Sequence, residues 1–308
     1  MSKLTKSDVY IDPVLSNFAV AYSNPAYVAE IILPNFKVSK DTGKYFTFDK
    51  TKFRVENSYR AMGDPAREIS HSMAAQGTYS INEYALKEFV PDKLVDQADQ
   101  PIDPEMDATE VVLEKLLVTK ELSLATTLAD TGTITQNTTL SGTSQWSDYT
   151  NSDPFSNINT AKSTVFGSTL KKPNILLLGK TVFDKLVDHP DIVDRIKYSQ
   201  LGVTTQELLA RLFDVEQVLI GAAYYNSAKE GQTDVIASIW GKHAWLIYAD
   251  KNPGARKVTL GYHFVSDPKQ VSKYKPEGRK GIFVEVSESY DQKLVATSAA
   301  YLIKNAVA

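Results

Sequence analysis

The feature that most constrains this 308-residue chain is one long helical signal. Asp103 is placed to cap it and Pro104 suits its first turn. Glu105, Asp107 and Glu110 favour its positive N-terminal end. Met106, Leu113, Leu117, Leu124 and Leu128 then recur at spacings of 7, 4, 7 and 4, which is one apolar stripe of a 3.6-residue period. A helix over 104–130 is ~40 Å long at 1.5 Å per residue. The spacing predicts a strut.

Around this helix the chain reads as α+β. Pro13, Pro25 and Pro34 predict an extended lead-in over 1–35, with nothing beyond a short helical turn. Gly43 to Phe48 and Thr78 to Leu86 read as strands separated by a polar excursion of ~30 residues, far longer than a hairpin loop. That is a two-stranded flap with too little core of its own to stand alone. The Thr/Ser/Asn-rich stretch 131–152 predicts an exposed, mobile loop. Helices are expected at 155–168, 180–197 (broken at Pro190) and 204–213. Strands are expected at 174–178, 215–220, 234–240, 243–249, 282–290 and 299–303, and 251–280 reads as loop with some strand.

Charge is nearly balanced in total, 34 Lys/Arg against 37 Asp/Glu, so bulk affinity for nucleic acid is expected to be weak. Its distribution is uneven. Residues 36–60 carry seven Lys/Arg against three Asp/Glu, residues 91–155 carry three against twelve, and 251–280 is basic again. Separated blocks of opposite sign suit contacts between copies of one subunit, and each block also reads as a solvated face. No apolar run is long enough to span a membrane, and the N-terminus carries no apolar signal region.

Little points to chemistry. The chain has no cysteine, which excludes disulfides, thiol catalysis and cysteine-ligated metal. Gly179-Lys180-Thr181 follows an apolar run, yet the earlier glycine of a phosphate-binding loop is replaced by Asn174, so the match reads as a strand-to-helix turn. His71, His189, His243 and His263 show no metal-ligand spacing, and His189 before Pro190 reads as part of a turn. Asp92, Asp96 and Asp99 lack the glycine and bidentate partner of a calcium loop. No catalytic residue, cofactor or metal is expected.

In order along the chain, Tyr27-Val28-Ala29-Glu30-Ile31-Ile32-Leu33-Pro34 leads into Gly43-Lys44-Tyr45. Then come Glu83-Tyr84-Ala85-Leu86, Val90-Pro91-Asp92, Ala98-Asp99-Gln100-Pro101 and Asp107-Ala108-Thr109-Glu110. Trp146-Ser147-Asp148-Tyr149, His189-Pro190-Asp191-Ile192, Ala228-Lys229-Glu230-Gly231 and Ile239-Trp240-Gly241-Lys242 follow. Taken together this set resembles the Hong Kong 97-like major capsid proteins of tailed bacteriophages, over nearly the whole chain.

The resemblance implies the α+β fold of that family, with an N-terminal arm (1–35), an extended loop (36–88), a peripheral domain (89–169, with parts of 256–300) holding spine helix 104–130, and an axial domain (170–255, with parts of the C-terminus). It implies a non-enzymatic subunit that forms hexamers and pentamers of an icosahedral shell around double-stranded DNA, in the virion, after assembly in the host bacterial cytoplasm. The expected partners are further copies, a separate scaffolding protein, a portal, a decoration protein where one is used, and generic DNA; a scaffolding protein is expected because no long helical N-terminal extension is present.

On this reading Lys44, Tyr45, Phe46, Phe48, Lys50, Lys52 and Arg54 of the flap meet a neighbour's acidic 91–130 stretch, where Glu105, Glu110 and Glu114 lie. Some relatives join subunits through a Lys–Asn isopeptide bond; Lys50 and Lys52 sit on the flap, but no matching motif surrounds them. An encapsulin-like compartment is the alternative within the same fold, and a cytosolic α/β hydrolase or nucleotide-binding enzyme the alternative outside it.

Overall fold

The computed structural model describes residues 10–308 except 23, 48–54, 57, 61, 64, 67, 69–75, 99–101, 197–204, 253, 255 and 256. The long helix forms as its sequence predicts, over Pro104–Ala129. Asp103 Oδ1 accepts from the backbone N–H groups of Glu105 (3.0 Å) and Met106 (3.3 Å), so the cap is real. The stripe serves two different cores. Ala108, Val112 and Leu113 enter one, and Leu124, Ala125 and Leu128 enter another. Met106, at the top of the predicted stripe, is left at the surface.

The first core lies on a twisted sheet. In chain order its strands are β1 (Tyr10–Ile11), β2 (Asn35–Lys37), β5 (Asn82–Pro91), β12 (Gly261–Tyr274) and β13 (Gly281–Leu294). They run β1-β12-β13-β5, with β2 added parallel to β12. Ten residue pairs, from Pro91 with Gly281 to Asn82 with Tyr290, fix the register of β5 on β13. The basic stretch 251–280, read from sequence as mainly loop, instead supplies a fourteen-residue strand. Pro268 misleads the sequence reading: it falls where the register slips between Asp267 and Gln270, and a bulge accommodates a residue that has no N–H to donate.

The second sheet runs β6 (Asn137–Thr139), β14 (Ala300–Lys304), β11 (Ala244–Ile247), β7 (Ile175–Gly179), β8 (Gln217–Gly221). Every residue of β7 is buried, as expected of a central strand covered on both faces. Leu176, Leu178, Leu246 and Ile303 face α5 (Pro154–Thr169), α6 (Lys180–Val187), α7 (Pro190–Ile196) and α8 (Gln206–Leu212). Ile175, Leu177, Trp245, Ile247 and Leu302 face the C-terminal half of the long helix, α4. Where β7 turns into α6, a Cβ on Gly179 would lie 2.2 Å from the Gly241 carbonyl oxygen. The Gly-Lys-Thr motif is thus a tight strand-to-helix turn.

Two predictions fail for identifiable reasons. The lead-in is not extended throughout: its described part forms α1 (Pro13–Ala21) and α2 (Ala29–Ile32), both packed on the same chain. Pro13 starts α1 rather than preventing it, because the first turn of a helix has no use for its missing N–H, and Asp12 caps the end. The Thr/Ser-rich stretch 131–152 is not a mobile loop. It contains β6, and it buries Ile134, Leu140 and Trp146. The Trp146 indole N–H donates to Asn157 Oδ1 at 3.0 Å. Three apolar anchors outweigh a polar composition.

Leu113, in the N-terminal half of the strut, and Leu128, near its C-terminal end, are each almost fully buried in a different core. Each Leu→Ala change is expected to cost ~2–5 kcal/mol in denaturant unfolding, while Met106→Ala costs well under half of that.

Candidate functional site

The buried polar chemistry of the subunit concentrates in a belt midway along α4. Lys120 and Glu121 are both nearly inaccessible to solvent. Lys120 lies on the stripe, three residues past Leu117 and four before Leu124, so an ammonium replaces an apolar side chain there. Its Nζ donates to Glu30 Oε1 of α2 (2.8 Å) and Glu288 Oε1 of β13 (3.0 Å), and stands 4.9 Å from the centre of the Tyr290 ring. Lys269 adds a second cation 3.6 Å from Glu30. Burial alone would raise the Glu30 pKa, yet the two ammonium groups hold it down at about 2.

Glu121 reaches a different set of partners. Its two oxygens accept from the backbone N–H groups of Val28 and Ala29 (2.9 Å each), which opens α2, and from the Trp240 indole (2.6 Å). Burial pushes its carboxyl up in pKa, against those three donors, and Glu30 pushes the same way. His263, stacked 4.6 Å from Tyr290, is buried beside this belt with no partner for Nε2, and burial followed by the Lys120 charge drives its pKa well down. Sequence reasoning missed the belt. The signal was a charged pair on an otherwise apolar stripe.

The flap begins as a hairpin of β3 (Thr42–Phe46) and β4 (Gln76–Ser80). Tyr79 and Tyr45 stack on Phe264 of the body, at 4.6 and 5.7 Å between ring centres, and Phe36 and Tyr262 complete the aromatic cluster. Tyr45, expected at a neighbour, therefore clamps the ribbon to its own subunit. Lys44 is exposed and Phe46 half-buried. Phe48, Lys50, Lys52 and Arg54 lie outside the described residues.

The acidic residues expected to face a neighbour have partners at home. Glu105 pairs with Lys273, which also holds Asp12 at 2.8 Å. Glu114 accepts from the hydroxyls of Tyr22 (3.1 Å) and Tyr27 (2.5 Å) and from Asn24 (3.2 Å), and Glu110 accepts from Tyr22 at 3.4 Å. Burial and these carboxylates raise the Tyr22 pKa to about 12. The partners of Glu110 and Glu114 are hydroxyl and amide donors rather than cations, so α4 keeps an acidic flank.

His189 has the turn role its position before Pro190 suggests. It is fully buried, and its Nδ1 accepts from the Asp191 N–H (3.2 Å) at the start of α7. Nε2 therefore carries the proton and points at Ser152 Oγ (3.0 Å). Burial lowers its pKa, against the pull of Asp191 and Asp153. Among the described residues no group of three His, Asp or Glu converges on a metal position, and no helix is long and apolar enough to cross a membrane.

With this geometry in view, the comparisons with known proteins agree with one another. A family model described as phage major capsid protein E matches residues 67–279. The major capsid proteins of Burkholderia phage BcepMu and Pseudomonas phage JBD67 are 26% and 29% identical to the chain, over 98% and 97% of both partners. The crystal structure of a phage-related protein from Bordetella bronchiseptica RB50 superposes with a TM-score of 0.78 at 28% identity, covering 96% of this chain and 97% of that one. A virus-like particle from Pyrococcus furiosus (TM-score 0.60, 13% identity, 94% and 97% covered) shares the fold alone. The α+β architecture is that of phage capsid proteins.

The Lys120–Glu288 pair can be tested as a cycle. Lys120→Ala leaves buried Glu288 without its cation and is expected to cost ~3–5 kcal/mol in chemical unfolding. The double change Lys120→Met with Glu288→Leu should recover most of that loss.

A pH effect follows from His189 and His263, both lowered in the folded state. Below the ordinary histidine value of about 6.5 the unfolded chain binds protons that the folded chain refuses. Their stabilisation is therefore present above that value and lost as pH falls toward the folded-state values. The denaturation midpoint of the subunit should drop between pH ~7.5 and ~5.5, and His263→Gln should flatten the slope.

Proposed function

The chain belongs to the phage major capsid protein E family, and from that premise we propose that it is the shell subunit of a tailed-phage head, self-assembling into hexamers and pentamers that close an icosahedral capsid around double-stranded DNA. Its role is structural and its place is the virion. In this reading residues 1–35 are the arm, 36–88 the extended loop, 89–169 with parts of 256–300 the peripheral domain, and 170–255 the axial domain. The split of α4 between two cores supports the last two. A scaffolding protein, a portal and any decoration protein would act on shells assembled in the host cytoplasm. DNA contact is generic, because a net charge of −3 gives no strong attraction to phosphate.

One observation carries the reading. The stem of the ribbon is clamped to the body by aromatic stacking, while Val55 and Met62 farther along it stand at 100% and 106% exposure. Apolar side chains held out from their own core are the mark of a surface meant for a partner, and a sister subunit fits. Lys44, Lys50, Lys52 and Arg54 flank these groups in sequence, and the acidic flank of a neighbour's α4, with Glu110 and Glu114, is the complementary surface. Such pairing steers register and encounter more than it adds affinity.

Electron microscopy of the chain purified with its scaffold should show closed shells. A compact monomer with the stretch between β3 and β4 folded against its own body would sink the proposal. Raising salt from ~0.05 to ~0.5 M should slow assembly, since the Debye length contracts several-fold over that range. A shell in which Lys44 lies farther than ~10 Å from every neighbouring carboxylate would remove the charge-pairing part.

A further inference from the structure

The first sheet stops abruptly at β5. That strand bonds β13 on one side and, among the described residues, no strand on the other. Asn82 to Lys87 are all exposed, so the unpaired backbone groups along this stretch face water. The free length has limits at both ends. At one end the Ile81 N–H donates to the Asp41 carbonyl, and at the other the short helix α3 (Asp92–Asp96) packs against the strand. A long open edge is a template for a further strand, and proteins usually blunt it with proline, a bulge or several lysines. Between Asn82 and Glu88 there is no proline, one lysine, and an unbroken register on β13.

Successive side chains of a strand alternate between the two faces of its sheet. Val90 enters the core under α4, and Tyr84 stacks on Tyr290 at 4.4 Å, so the even-numbered residues share the α4 face. Glu83, Ala85 and Lys87 lie on the opposite face. There Lys87 Nζ donates to the Tyr274 hydroxyl at 2.7 Å and stands 4.7 Å from the centre of the Phe283 ring. Its cross-strand neighbour is Glu285, whereas Glu83 stands across from uncharged Ser289.

The sequence Asn82-Glu83-Tyr84-Ala85-Leu86-Lys87-Glu88 is complementary to itself read backwards. Laid antiparallel about a two-fold axis at Ala85, Glu83 meets Lys87, Tyr84 meets Leu86 and Asn82 meets Glu88, each twice. Opposite charges then pair on the outer face, and an aromatic–aliphatic pair and an amide–carboxylate pair form on the α4 face. An axis normal to the sheet keeps both α4 helices on one side, which restricts the register to steps of two residues. Sliding by two sets Glu83 against Ala85 or Phe89. Sliding by four sets Glu83 against Glu83, or Lys87 against Lys87. Among these registers the one centred on Ala85 matches both charges.

We propose that β5 pairs antiparallel with β5 of a second copy of this chain, joining the two sheets across a two-fold axis at Ala85. The contact is isologous, each copy offering the same strand. The order of charges selects the partner, since the strand's own copy presents the matching groups in the matching sequence. An ammonium has three N–H donors, so Lys87 can hold Tyr274 and still reach the partner's Glu83. Tyr84 and Leu86, both exposed in the single chain, leave water against one another. The inference rests on the shell reading above: an icosahedral shell relates neighbouring rings by two-fold axes, and this edge supplies a contact on one.

The absence of cysteine permits a direct test. Ala85→Cys is placed in the full chain, shells are formed with the scaffold, and mild oxidant is added. Directly opposite residues of an antiparallel pair have Cα atoms ~4.5–5.5 Å apart, within disulfide reach. A covalent dimer, and nothing larger, is expected on a non-reducing gel. Glu83→Cys alone should give none, because the two copies of that position lie ~14 Å apart along the strands. Glu83→Cys with Lys87→Cys should restore the dimer. Glu83→Lys, which sets like charges opposite one another, should abolish shells while leaving the melting temperature of the unassembled subunit unchanged. Shells of Ala85→Cys without a dimer, an equal dimer from Glu83→Cys alone, or shells of Glu83→Lys at parental yield would overturn the pairing and leave the shell reading standing. An adduct of Ala85→Cys to the scaffold in place of a second copy would also overturn it. A parent chain that never forms shells would overturn both.

Discussion

Two adjacent residues of opposite charge, sealed at the centre of one helix, determine how the rest of the subunit is arranged. Successive residues of a helix point about 100° apart, so Lys120 and Glu121 reach different layers from one step of backbone. Lys120 takes Glu288 from the first sheet and Glu30 from the lead-in. Glu121 takes the opening N–H groups of α2 and the indole of Trp240, whose ring packs in the second core. Buried ion pairs add little net stability, because desolvation offsets their attraction. Their effect is on arrangement. Rotating α4 or sliding the lead-in by one residue would leave two carboxylates and an ammonium unpaired in a dry interior, whereas the surrounding leucines and valines tolerate small shifts. The aliphatic contacts supply the adhesion and the belt selects a single arrangement.

Much of the frame was legible in the sequence because it rests on short-range rules. A cap, a proline and a 7-4-7-4 stripe were enough for α4. An all-apolar run bounded by turn residues was enough for β7, and alternation was enough for most of β13. The elements that escaped depend on distant partners. Nothing local to 261–274 says that Pro268 meets a bulge, since that is a property of its register against β13. Likewise Thr138 and Thr139 form a strand only because β14 lies alongside. The lead-in was misread for a simpler reason, a proline taken as a helix breaker at the one helical position where it starts the helix.

The charge blocks teach a related lesson. Of the twelve acidic residues between 91 and 155, Asp103 and Asp153 cap helices, and Asp130 and Asp148 bind the backbone of the turns that follow them. Glu105 and Glu121 are held inside the subunit. A local excess of carboxylates in sequence thus mixes groups that organise backbone with groups that face water, and only the second kind contributes a field that a neighbour can feel. What remains on α4 is Asp107, Glu110 and Glu114, the last two bonded to hydroxyl and amide donors. Sequence gives the sign of a segment, while the fold decides which charges are left over.

A shell subunit has to combine a stiff body with contacts weak enough to be revised during assembly. The strut supplies the first. Its 26 residues span ~39 Å and enter one core through Ala108, Val112 and Leu113 and another through Leu124, Ala125 and Leu128, so displacing one half carries the other with it. On the shell reading the contact offered by the clamped ribbon is small. A patch of that size, standing alone, falls in the range of transient interfaces. Within a ring each such patch is joined by others on the same rigid body, and the second contact forms at a high effective concentration set by the first. Stiffness is what makes this work. If the two sheets could swing about α4, forming one contact would not position the next, and the gain from multiplicity would be lost. On the proposed shell reading, the sealed belt in the middle of the helix would serve assembly as well as folding, since it holds the geometry over which many weak contacts add.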